Sequence, residues 1–223
     1  MTPQKARTGH GDHWLAALQQ GDPRLLTAIA PPTDAPDGVA LHRADLTAAL
    51  DLVQVTANRR LVTAYPEPRA TTLLTMRPRE LALWDTSVEG WITADHEGAG
   101  TLTLCATDLA QEAERYQRAG RARGIMLEAG ALAYTLERVQ EPGTPRLQRA
   151  SKLDARFLPD DYAFEGRVLS VDGAEEEQVL MLEFHGGLIL PLVHRGLTLL
   201  APGDHAQGVL WLTGRLPAQE IAK

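Results

Sequence analysis

The segment EFHGGLILPLVHRG, residues 183–196, holds the residues whose types and spacing most invite chemistry: two histidines, His185 and His194, with Gly186-Gly187 between them. A His-Gly-Gly loop can present backbone N–H groups to an oxyanion, but the hydrolases that use one place their nucleophile in a G-x-S-x-G elbow. The serines are Ser87, Ser151 and Ser170, and none has that setting. For a metal site the test is register. If Gly186-Gly187 form a two-residue hairpin loop, His185 pairs with Leu188 and Val179 with His194. The histidines then stand at opposite ends of one hairpin face, about 20 Å apart at strand rise, and one zinc ion cannot bridge them. The same register puts Phe184, Leu182, Leu180, Ile189, Pro191 and Val193 on the core face. Met181, Leu188, Leu190 and Leu192 fall on the other face, as a candidate interface that needs cover. Pro191 is expected to guard an edge strand, because it lacks an N–H to offer a further neighbour.

Other candidates give weaker signals. His10 and His13 make H-x-x-H beside Asp12, with no third ligand in view. His205 follows Pro-Gly-Asp, an ordinary turn sequence. Cys105 alternates with Leu102 and Leu104 and reads as a small buried strand residue; as the single cysteine it can form neither an intrachain disulfide nor a cysteine cluster. Arg115, Arg118, Arg121 and Arg123 form the densest positive charge. Their spacing places the first three on one helix side, a candidate anion-binding patch, although arginines also complement a helix C-terminus without any ligand. Neither G-x-x-x-x-G-K-[ST] nor G-x-G-x-x-G occurs, and no cofactor is expected.

The elements that would position these residues suggest an α+β protein. DHWLAALQQ reads as a helix capped by Asp12, and RLLTAIA as a further turn or two. Leu46, Leu50 and Val53 at i, i+4, i+7 predict a helix from about Asp45, whose end is open because LVQVTA also has strand composition. TTLLTM, ELALW, GWITAD and TLTLCA read as strands. TDLAQEAERYQRAGRARG reads as a helix, with acids first, arginines last and a closing glycine. GIMLEAGALAYTLERV reads as a hairpin with Leu132, Tyr134 and Leu136 on one face. After the Pro/Gly seam EPGTPR, residues 141–146, only strand patterns remain: FEGRVLSVD, QVLMLEFH, LILPLVH and GVLWLTGRL. The expected organisation is an α+β domain over 1–145 and a small antiparallel β domain over 146–223, with an OB-like barrel as one option. No internal repeat is evident in the sequence.

Charge narrows the function. The chain carries 22 basic against 29 acidic residues, a formal −7. Residues 1–150 hold 16 against 18, and residues 151–223 hold 6 against 11. This acidity and an aromatic content of 5% disfavour nucleic-acid binding. No apolar run approaches the roughly 20 residues of a membrane span, and the N-terminus lacks an apolar leader core, so a cytoplasmic protein without membrane partners is expected. Arginine dominates over the three lysines, which with the richness in Ala and Leu suggests a GC-rich bacterial source. The leading expectation is a binding or adaptor protein that works through a protein partner or as a homo-oligomer. The alternatives are nucleic-acid binding through a barrel and the arginine helix and, more remotely, a metal-dependent enzyme.

Overall fold

A computed structural model describes residues 37–84, 88–119, 123–154, 157–174, 176–196 and 198–218. The expected α+β character is corrected: the described chain is nearly all β, with one α-helix. The helices expected within residues 12–30 lie outside the described residues. The helix expected from Asp45 is instead the end of β1 (Val39–Asp45), a turn, and β2 (Leu50–Ala57). Leu50 and Val53 satisfy a helical spacing by coincidence. Leu52, Val53, Gln54, Val55 and Thr56 are all buried, so the run is a strand covered on both faces. With β3 (Arg60–Pro68) these strands form an antiparallel meander.

The remaining strands form one nine-stranded sheet that closes on itself twice. They are β4 (Thr72–Leu83), β5 (Gly90–His96), β6 (Gly100–Ala106), β7 (Ile125–Val139), β8 (Arg146–Arg149), β9 (Asp161–Ala174), β10 (Glu177–Glu183), β11 (Ile189–His194) and β12 (His205–Arg215). One circuit runs β4-β5-β6-β12-β7 and returns to β4; the other runs β9-β10-β11-β7-β12 and returns to β9. Each is a five-stranded barrel with a single parallel pair, β6 with β12 or β11 with β7. β7 and β12 belong to both barrels and pair with each other from Glu128–Arg215 to Val139–His205. The strands after residue 146 therefore close only with β7.

GIMLEAGALAYTLERV is thus one 15-residue strand and not a hairpin. Gly130 marks a close approach: a methyl there would press on the Ala70 carbonyl and the Pro68 ring. A register shift opposite Tyr134 divides the expected face. Leu132 packs in the cluster beneath the meander, while Leu136 joins the barrel core.

The two barrels match strand for strand. Ile92 pairs with Leu104 as Leu180 pairs with Leu192, and Ala94 with Leu102 as Leu182 with Leu190, so a step of 88 residues carries one hairpin onto the other. The same step carries Gly98 to Gly186, and these two hairpin tips touch. A methyl on either would overlap the carbonyl of the other, and both have positive φ, +92° and +73°.

The expected register of the second hairpin is off by one residue. The strands join through Phe184–Leu188 with a 3-10 turn at His185–Gly187, so Gln178 and not Val179 faces His194. A one-residue slip exchanges the two faces. Leu188, Leu190 and Leu192 are 1%, 0% and 1% exposed within the barrel core, covered by the chain's own strands, and Met181 is half-buried on the opposite face. β11 is also not an edge: it lies between β10 and β7, and its ladder to β7 starts just past Pro191, at Leu192.

The helix α1 (Leu109–Ala119) joins β6 to β7, and its Leu109 and Tyr116 enter the core of the first barrel. No helix among the described residues is long and apolar enough to cross a membrane. The meander packs on the outer face of the shared strands. There Leu50, Val53 and Tyr65 meet Cys105, Leu132, Val193 and Trp211, with the Tyr65 and Trp211 rings edge to face at 6.0 Å. The Cys105 thiol is buried in this layer, which pushes its pKa up.

Candidate functional site

Docking the meander beside α1 leaves a cleft of about 610 Å³, lined by Arg43 of β1, Asp108, Gln111, Glu112 and Arg115 at the start of α1, Glu128 of β7, and Arg215 with Leu216 and Ala218 at the end of β12. Glu128 and Arg215 alternate with Leu127, Ala129 and Leu212 of the barrel core, so β7 and β12 build both the core and the cleft, while Arg43 is brought by the meander.

Behind the cleft lies Glu67 of β3, only 2% exposed. It accepts from Arg43 Nε at 2.8 Å, from Arg215 Nη1 at 3.1 Å, and from the Thr107 hydroxyl. Arg215 Nε also donates to Glu128 at 2.7 Å. A buried carboxylate with partners on three elements ties the meander to both barrels, and it fixes two guanidinium groups in place at the mouth. Burial works to lower the pKa of Arg43 and of Arg215, yet their carboxylate partners hold both above the ordinary arginine value.

Arg115 Nη2 donates to the Pro217 carbonyl at 3.0 Å, and Nη1 stands 3.1 Å from Glu112. Asp108 precedes α1, but its carboxylate is turned away from the helix amides. Oδ1 accepts from the Tyr116 hydroxyl at 2.6 Å and Oδ2 from the Leu216 amide at 3.0 Å. Burial pushes this carboxyl up to about 6.

Of the arginines picked out in the sequence, Arg115 lines the cleft. Arg118 and Arg123 are exposed outside its lining, and Arg121 lies outside the described residues. Arg43, Glu67, Asp108, Glu128 and Arg215 were not anticipated. The one local hint is Glu67, a carboxylate in the otherwise uncharged run TAYPEP, where burial demands a partner. The partners are remote in sequence, so spacing does not reveal them. The histidines of the opening motif do not meet: His185 is exposed in the β10–β11 turn, and His194 is buried at the far end of the hairpin.

No protein-family model matches the chain, and no curated protein does. Among solved structures, similarity is found to the cytoplasmic molybdate-binding protein ModG in a crystal form with molybdate bound. The two are 15% identical over 68% of this chain and 99% of that one, with a TM-score of 0.37. At that TM-score the likeness bears on neither the ligand nor the site of this chain.

Proposed function

We propose that this protein binds a small polar solute in the cleft between the meander, α1 and the shared strands. The observation that carries this reading is the convergence of Arg43, Arg115 and Arg215 from three separate elements on one cleft, with two of them held by the buried Glu67. Arg43 and Arg215 spend Nε and one terminal nitrogen each on carboxylates, so each keeps a further terminal nitrogen for a ligand. A pre-positioned guanidinium pair loses little freedom on binding, which favours a small ligand. A ligand that binds only the native state raises its melting temperature. The test is a thermal-shift panel of sulfate, succinate and glycine at constant ionic strength, run on the native chain and on Arg215→Gln. A shift in the native chain that is lost in the variant supports the reading; no shift with any of the three overturns it.

A second reading, self-association, rests on Leu73 and Met126. These side chains are 55% and 52% exposed on the adjacent strands β4 and β7, one diagonal step apart. Light scattering that reports a dimer, and a monomer for Leu73→Glu, is the expected outcome. A native chain at monomer mass contradicts it.

A further inference from the structure

Resting on the cleft being a binding site, we infer that its ligand is a small oxyanion taken up together with a proton, and that Asp108 receives the proton. The charge balance points this way. Three guanidinium groups, Arg43, Arg115 and Arg215, face Asp108, Glu112 and Glu128 in the lining, with Glu67 behind them. With every carboxylate ionised the group is negative by one charge, and a further anion enters against that excess in a part-buried place where screening is weak. One proton on a carboxylate restores the balance.

The hydrogen bonds select which carboxylate accepts it. Glu67 is bonded to Arg43 and Arg215, Glu128 to Arg215, and Glu112 stands against Arg115. Each is hydrogen-bonded to or ion-paired with an arginine. Asp108 is hydrogen-bonded to no arginine among the described residues, although Arg43 acts on it through space: its oxygens accept from the Tyr116 hydroxyl, the Leu216 amide and its own backbone amide. Tyr116 is fully buried, and its hydroxyl can reverse. It donates to the ionised carboxylate, and it accepts from the carboxylic acid once Oδ1 carries a proton. The Asp108–Tyr116 hydrogen bond can therefore persist in either charge state of Asp108.

The ionisable side chains around Asp108 are Arg43 from β1, Glu67 from β3, Glu112, Arg115 and Tyr116 from α1, Glu128 from β7 and Arg215 from β12. Burial and the Asp108 carboxylate push the Tyr116 hydroxyl up. Binding and protonation are reciprocal. An oxyanion at the arginines favours protonated Asp108, and protonated Asp108 favours the oxyanion by the same factor.

Sulfate is the probe, because it stays a dianion across this range and its own titration adds nothing. Its affinity for the native chain, measured by calorimetry at fixed ionic strength, is expected to rise at least fivefold from pH 7.5 to pH 5.5. Near pH 7, titrations in two buffers of different ionisation enthalpy should show net proton uptake. Asp108→Asn should bind sulfate at pH 7.5 about as well as the native chain does at pH 5.5, with no proton uptake. The buffer comparison needs only the native chain, so it decides proton coupling even if the variant fails to fold. Sulfate binding without pH dependence or proton uptake overturns this inference and leaves the cleft a binding site. Coupling that persists unchanged in Asp108→Asn overturns the role of Asp108. No sulfate binding at any pH, with succinate or glycine still bound, overturns the oxyanion assignment; no binding of any of the three overturns the site itself.

Discussion

Asp108 and His194 are both buried, and burial moves them in opposite directions with opposite consequences for stability. The folded chain raises the Asp108 carboxyl from 3.8 to about 6, so it binds this proton more tightly than the unfolded chain does. The associated stability is present in full below about pH 4 and is lost as pH rises through 6. A shift of two units amounts to roughly 3 kcal/mol. Asp108→Asn should flatten this part of the profile, measured as urea midpoints between pH 4 and 7; an unchanged slope contradicts the assignment. His194 is the reverse. Both of its ring nitrogens lack hydrogen-bond partners among the described residues, and burial lowers its pKa. The unfolded chain takes the proton more readily, so this contribution is present above about pH 6.5 and is lost as pH falls below it. His194→Leu should lose less stability between pH 7 and 5 than the native chain, by the same urea midpoints. An equal loss shows that another group is responsible.

At the level of elements, the contact between Gly98 and Gly186 is what the second hairpin's glycines are for. Gly186 combines a positive φ with a neighbouring backbone that leaves no room for a methyl, so Gly186→Ala should cost roughly 2–4 kcal/mol, read from denaturant midpoints. Gly187, also at positive φ but in open space, should cost less on the same substitution. A Gly186→Ala variant no less stable than Gly187→Ala would contradict this.

The sequence shows the limits of reading elements locally. The helix over 109–119 was legible because an acidic residue in its first turn, Glu112, and an arginine in its last, Arg118, follow its dipole. The strands of the β10–β11 hairpin were legible too, but not their register: a longer turn than Gly-Gly alone shifts the pairing by one residue, and that shift turned a core face into an apparent interface. β2 resembled a helix because a strand buried on both faces loses its alternation. The duplication was invisible because the two barrels share core positions and not residue identities. In place of Gly90, against which Leu109 packs in the first barrel, the second carries Gln178, and in place of Ala106 it carries His194.

On the scale of the whole molecule, β7 and β12 make the two barrels one structure. Each barrel borrows a strand from the far half of the chain, and the outer face of these shared strands seats the meander. The cleft arises where that third layer meets α1. Its site residues come from positions 43, 67, 108, 115, 128 and 215, which no local motif could assemble. The most direct test of the account is calorimetric titration of sulfate into the native chain at pH 5.5, beside Arg115→Gln and Arg215→Lys. One site per chain is expected, weakened at least tenfold in each variant, because a lysine cannot reproduce the forked guanidinium. An absence of binding to the native chain, or equal binding by all three proteins, would contradict it.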